Sequence, residues 1–202
     1  MKETIAESSG SNREHVIAVA AQLFLLRGVT NTSMEDVVRE SGVSKSNIYY
    51  HFKSKSDLLV AVAEYQIQAF EAMVLQVMQE PASGSVLDLL ARYIARLTDE
   101  LAGRSCVGGC PFASLVMETA GREERVQERI NRFFHDQTQA LESLLVAGMH
   151  RGEIRRDIAP AQAAGLIMSA VEGSLVLAQA SGNAALLKER GLLLLDLLRL
   201  RP

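Results

Sequence analysis

Residues 42–59 read GVSKSNIYYHFKSKSDLL. Two tyrosines, a histidine and three lysines crowd into this run, and no acid appears before Asp57. Aromatic side chains ordinarily pack inside and lysines face water. Their interleaving prevents clean segregation on a short helix, so the surface must meet something that accepts both. A polyanion does, because ammonium groups and tyrosine hydroxyls can each reach phosphate oxygens.

The flanking sequence places this run on short helices. Ser33 with Asp36 makes a box-like N-cap, in which the serine oxygen accepts an orphan amide. The helix that follows, MEDVVRES, is stopped by Gly42. Ser44 caps a third helix, KSNIYYHF, and Ser54 with Asp57 caps a fourth. Upstream, Val16, Ile17, Ala20, Ala21, Phe24 and Leu25 keep helical spacing over Arg13–Arg27, and Gly28 ends that helix. Two short helices joined by SGVS fit a helix-turn-helix. Val43 and Ile48 have the spacing to face Val37 and Phe24, which leaves Lys45, Ser46, Asn47 and Tyr50 outside.

These residues carry a family resemblance. Residues 13–62 resemble the DNA-binding domain of the TetR family of transcriptional repressors, through AAQLFLLRGVTNTSMEDVV and SGVSKSNIYYHFKSKSDLL. Thr32-Ser33, Gly42-Val43-Ser44, Tyr49, His51, Phe52 and Lys55 stand in the family's register. The resemblance implies phosphate contacts at Ser33 and Lys55 and base reading at Lys45, Ser46 and Asn47. It also implies groove and backbone contacts at Tyr49, Tyr50 and His51. Val38 replaces the usual alanine and Ser46 the frequent glycine.

The remaining pattern is helical too. Low aromatic content, no tryptophan and only four prolines in 202 residues favour an all-α chain with an aliphatic core. Expected helices cover Ser85–Ala102, Phe112–Ala120, Arg122–His150, Ala161–Ser181 and Ala184–Leu200, and the fourth keeps an apolar stripe from Leu58 to Val77. The expected organisation is a disordered arm at 1–12, a three-helix DNA-binding domain at 13–58, and a larger helical ligand-binding and dimerisation domain at 59–202. The resemblance implies a homodimer through helices eight and nine on an operator palindrome. It also implies an effector cavity among helices four to seven. Candidate lining residues are Tyr65, Gln66, Phe70, Met73, Tyr93, Phe112, Met117, Phe133, Phe134 and Gln137, a set that suits a small, largely apolar molecule.

A net charge of −3 confines any DNA affinity to a local patch. The N-terminus lacks the apolar core of a signal peptide, and Glu172 interrupts the longest apolar window. The expectation is therefore a cytoplasmic protein that does not enter a membrane, and the resemblance implies a bacterial one. An enzyme is not expected: there is no phosphate-cradling glycine loop, no paired metal ligands and no nucleophile with an identifiable base. No cofactor or metal is expected, since the histidines at 15, 51, 135 and 150 are scattered. Cys106 and Cys110, in CVGGCPF, leave one alternative, a thiol-based redox or electrophile sensor. Of the two, Cys106 is expected to be the more exposed, in a loose glycine-rich loop.

Overall fold

The structure is a computed structural model that describes residues 3–80 and 84–199, with the backbone alone for residues 3–11. Among the described residues there are nine helices: α1 (Glu3–Arg27), α2 (Met34–Ser41), α3 (Lys45–His51), α4 (Lys55–Gln79), α5 (Val86–Gly103), α6 (Pro111–Thr119), α7 (Glu124–His150), α8 (Pro160–Ser181) and α9 (Ala185–Leu198). The all-α reading holds; the described β-geometry is an isolated bridge between Ile154 and Arg199. Helix α1 is described from Glu3, so the stretch expected to be an arm is helical over most of its length. Polar composition alone does not stop a helix, and no proline interrupts residues 3–12.

The chain divides into two compact units that do not follow a single cut in the sequence. One contains residues 1–69 and 111–130; the other contains 70–110 and 131–202. A linear division at residue 58 therefore leaves out α6 and the start of α7, which pack with the N-terminal helices. Helices α4 and α7 each run from one unit into the other.

The first unit is built on a small apolar centre. Val16, Ala20 and Phe24 of α1, Val37 of α2, Ile48 of α3, and Leu58, Leu59 and Val62 of α4 are all buried. Helices as short as α2 and α3 are marginal alone. Caps and this centre hold them. The second unit buries Leu90, Ile94 and Leu101 of α5, Phe133 and Leu145 of α7, Ile167 and Val171 of α8, and Leu187 and Leu195 of α9. Gly191 lets α9 approach α5 closely: a Cβ there would lie 2.8 Å from two carbons of the Ile94 side chain.

By length and composition alone, α4 and α8 could cross a membrane. Each nevertheless turns residues into helical packing: Leu58, Leu59, Val62 and Ile67 on α4, and Ala164, Ile167, Val171 and Leu175 on α8.

Candidate nucleic-acid interface and effector region

The α2–α3 segment begins with a reciprocal cap. The Asp36 amide donates to Ser33 Oγ at 3.1 Å, and the Ser33 amide donates to Asp36 Oδ2 at 2.9 Å. Hydrogen bonds from Ser33, and then from Arg39, hold the Asp36 carboxyl well below the usual carboxylate range. Gly42 ends α2 in the left-handed region at φ 67°, donating its amide to the Val38 carbonyl at 3.1 Å. Ser44 Oγ then accepts the Asn47 amide at 3.4 Å and starts α3. With Ile48 fully buried, the opposite face of α3 carries Lys45, Ser46 and Tyr50 outward.

Cations and rings alternate on that face. Lys45 Nζ lies 5.6 Å from the Tyr49 ring centre and donates to Glu35 at 3.0 Å. Lys53 Nζ lies 5.8 Å from the ring of Tyr50, which is 72% exposed. Tyr50 meets His51 edge to face at 5.0 Å. Asn47 is half-buried, and its Oδ1 is enclosed without a hydrogen-bond partner among the described residues.

Lys55 differs from the others. Its ammonium is turned toward the α1–α2 loop and donates to the Val29 carbonyl at 2.5 Å. Burial lowers its pKa, against the opposing pull of Glu118 and Glu123. It lines a cavity of about 180 Å³ with Val29, Thr30, Leu59, Glu118, Thr119, Arg122 and Glu123.

The α6–α7 corner grips the same region through polar contacts. Glu118 Oε2 accepts the Thr30 amide at 3.1 Å, and a Cβ on Gly28 would approach that oxygen to 2.8 Å. Ser56 donates to Glu123 at 2.5 Å, Arg125 to Asp57 at 3.0 Å, and Arg129 reaches both oxygens of Glu64 at 2.5 and 3.0 Å. The sequence reading missed these contacts. Their partners stand 65 to 88 residues apart, and no local pattern announces them.

The ten candidate effector residues do not come together as one lining. In the second unit, Phe70 meets Tyr93 edge to face at 6.1 Å and Phe133 at 5.2 Å, and Phe133 lies 5.7 Å from Phe134. Met73 is buried and Gln137 half-buried there. Gln66 and Phe112 belong to the first unit. Gln66 borders a small cavity with Phe24, Leu25 and Ser114, and its Oε1 is buried without a partner among the described residues. Met117 is 68% exposed, because Phe112, Leu115 and Thr119 form the inner face of α6 and turn it outward. Tyr65, on α4, is 43% exposed although Leu58 and Val62, seven and three residues before it, are fully buried.

The cysteines also correct the expectation. Cys106 is as buried as Cys110, at 4% and 5% exposure, and neither is in a disulfide. The loop is not loose. Ser105 and Cys106 adopt left-handed backbone at φ 52° and 62°, and the Cys106 amide donates back to Leu101 at 2.9 Å. That reversal folds the thiol inward. Reactive thiols sit in partly exposed, electropositive surroundings, so the burial does not favour thiol sensing.

One residue the sequence reading noted only as an interruption is Glu172. Burial raises its carboxyl pKa, opposed by a hydrogen bond from the Cys110 thiol. Its Oε2 is buried and unpartnered among the described residues. Elsewhere on α8 and α9, Leu166, Val176, Leu177, Leu192, Leu193 and Leu197 are 41–61% exposed, an apolar surface on two adjacent helices.

Comparison with known proteins agrees with this architecture. Residues 16–62 match the profile of bacterial regulatory proteins of the tetR family, and residues 86–190 match that of the tetracyclin repressor-like C-terminal domain. The transcriptional repressor DhaR of Mycobacterium sp. (strain GP1) is 24% identical over 164 residues, 81% of this chain and 80% of that protein. The transcriptional regulator LmrA of Bacillus subtilis is 22% identical over 197 residues, 95% of this chain and 99% of its own length. A crystal structure of a TetR transcriptional regulator from Chloroflexus aurantiacus superposes with a TM-score of 0.85 at 26% identity. That match covers 96% of this chain and all of the other. Capped short helices at one end of the sequence and a matching C-terminal half at the other make the same assignment: the chain belongs to the TetR family of bacterial transcriptional regulators.

Proposed function

We propose that this regulator is a repressor that binds an operator palindrome as a homodimer and lets go when a small, largely apolar molecule occupies its second unit. The observation that carries the reading is α3: a capped helix with one face anchored by Ile48 and the other presenting Lys45, Ser46 and Tyr50. In this reading residues 13–58 touch DNA. Lys45, Ser46 and Asn47 meet base edges, and Tyr49, Tyr50 and His51 meet the groove wall and backbone. Ser33 meets a phosphate, and Lys55 does so by exchanging the Val29 carbonyl for a phosphate oxygen. Residues 59–202 bind the effector and the second copy. The exposed leucines of α8 and α9, with Val176, support a helical dimer interface, since large exposed apolar surface marks association. The protein acts in the cytoplasm, on double-stranded DNA, and catalyses no reaction.

The effector reading draws on Phe70, Tyr93, Phe133 and Phe134, with Met73 and Gln137, in the second unit. Tyr65, Gln66, Phe112 and Met117 are not part of that group. Release passes through the α6–α7 corner, where Glu118 holds the Thr30 amide only three residues before the Ser33 cap. A shift of α6 there moves the start of α2.

The experiment is selection of duplexes from a random pool by the purified protein, followed by mass and stoichiometry on the selected duplex. A dimer on a palindrome is expected, with affinity falling steeply with salt. Lys45→Ala and Asn47→Ala should relax base preference at single positions, by about 1–3 kcal/mol for a bidentate contact. A monomer of full affinity, or sequence-independent losses from both changes, would refute the assignment.

A further inference from the structure

Helix α8 carries a single charged residue, Glu172, in a run otherwise made of Ala, Gly, Leu, Val, Ile, Met, Ser and Gln after its first proline. It stands near the middle of the helix, so the helix dipole does little for it either way. One partner is the thiol of Cys110. The other oxygen, Oε2, is enclosed and accepts nothing among the described residues. A buried acceptor left without a donor is expensive, and one on a charged group more so.

The surroundings of this carboxylate have a consistent character. The Tyr93 phenol is pushed well above its ordinary pKa, first by burial and then by its acidic neighbours Glu172, Cys110 and Glu100. Tyr93 packs edge to face on Phe70, which packs on Phe133. The guanidinium of Arg104 is occupied by the carbonyls of Glu100 and Gly109. Glu172, Tyr93 and Phe70 are each half-buried, so the group is reached from the surface although Glu172 Oε2 itself is enclosed. A carboxyl whose ionised form burial disfavours, set among rings with an oxygen unpartnered among the described residues, suits a donor that brings positive charge and so restores its ionisation.

We propose that Glu172, with the ring group of Phe70, Tyr93 and Phe133, recognises the ammonium end of a lipophilic organic amine. The ammonium N–H donates to Glu172 Oε2, the aromatic faces accept the remaining positive charge, and the apolar body lies against the rings. This rests on reading the second unit as the effector-binding one, and narrows the effector from any apolar molecule to a cationic one.

The test uses the full-length protein and three probes of one shape: 4-phenylbutylamine, 4-phenylbutan-1-ol and 4-phenylbutyrate. Binding is measured by titration calorimetry, and release of the selected duplex by fluorescence anisotropy. The amine should bind about tenfold or more tightly than the alcohol, as a charge-assisted hydrogen bond requires, with butyrate weakest. Glu172→Gln, which keeps shape and loses charge, should bring the amine down to the level of the alcohol. Equal affinities for amine and alcohol in the wild-type protein overturn the proposal whether or not the variant folds. So does a Glu172→Gln protein that keeps the preference. Duplex binding by the free protein is scored separately: loss of that result sinks the repressor reading, whereas intact duplex binding without an amine preference sinks only this one.

Discussion

The two units solve the problem of polar groups in opposite ways. In the first, helices of eight and seven residues depend on local hydrogen bonds, and Ser33, Asp36, Ser44 and Gly42 satisfy the ends of α2 and α3 within a few residues. Lys45 and Lys53 stay at its surface, and the half-buried Lys55 is met by a backbone carbonyl. In the second, helices of 14 to 27 residues depend on buried aliphatic and aromatic side chains, and a carboxyl is left inside with one oxygen unmatched among the described residues. A rigid, locally satisfied surface suits a partner of fixed geometry such as a duplex. An interior with an unmet acceptor suits a guest that supplies the missing donor.

Truncation in the core should separate the units most sharply. Ile48 and Leu145 are both fully buried, one in each unit. Replacing either by alanine should lower unfolding stability by about 2–5 kcal/mol. Only Ile48→Ala should abolish duplex binding at a temperature where both variants keep native helicity by circular dichroism. Equal loss of DNA binding by both would erase the distinction between the units.

A smaller effect is expected at Gly191. An added Cβ would press on Ile94, and overpacking of this kind costs about 1–3 kcal/mol. Thermal unfolding of Gly191→Ala, alone and with Ile94→Val, should show the deficit shrinking in the double variant. Additive losses would mean that the two side chains do not meet.

Below that lies the cap. Ser33→Ala should destabilise by about 1 kcal/mol near neutral pH. The sign of its pH dependence follows from Asp36, whose folded-state pKa is depressed. That contribution is present above the unfolded value of about 3.9 and is lost as pH falls through the lower folded value. The wild-type advantage should therefore be flat between about pH 5 and 8 and shrink below about pH 4. Denaturant melts at matched ionic strength measure it; an advantage that grows in acid contradicts the capping box.

The smallest effect concerns Glu35 and Lys45, paired at 3.0 Å with both side chains more than 60% exposed. Exposed pairs contribute little to stability. Glu35→Gln should leave the melting temperature unchanged and tighten duplex binding at low salt, because it frees Lys45 and removes a negative charge. Unchanged DNA affinity would place Lys45 away from the duplex.

Legibility in the sequence tracked the range of the interactions. Caps at Ser33, Ser44 and Ser54 and the stop at Gly42 act over three or four residues, and the order of helices could be read from them. The inward face of α3 followed from Ile48. Lys55 was harder: the resemblance implies a phosphate contact, but the carbonyl it meets in this structure lies 26 residues away. On long helices an apolar residue can face either way, and the choice depends on a neighbour that the sequence does not name. Met117 faces solvent because Phe112 and Leu115 take the inner side of α6. Cys106 was misjudged because its glycine-rich surroundings suggested looseness, whereas two left-handed residues in succession make a firm turn. Glu172 was visible only as a break in an apolar run.

The contact between Gly28 and Glu118 has a genetic consequence. Gly28 sits at φ 83°, and the space where a Cβ would go is filled by the Glu118 carboxylate. Positions 28 and 118 are therefore not free to vary independently. Any side chain at 28 meets two obstacles, the left-handed backbone and the carboxylate, and shortening residue 118 removes only the second. In a deep mutational library, substitutions at 28 should be depleted in every background, and least depleted where residue 118 is Ala or Ser. Shortening Glu118 in turn strips the Thr30 amide of its acceptor, so the compensating change carries a defect of its own. A lineage would cross between the two forms only through a less fit intermediate, and the pair should persist as a unit.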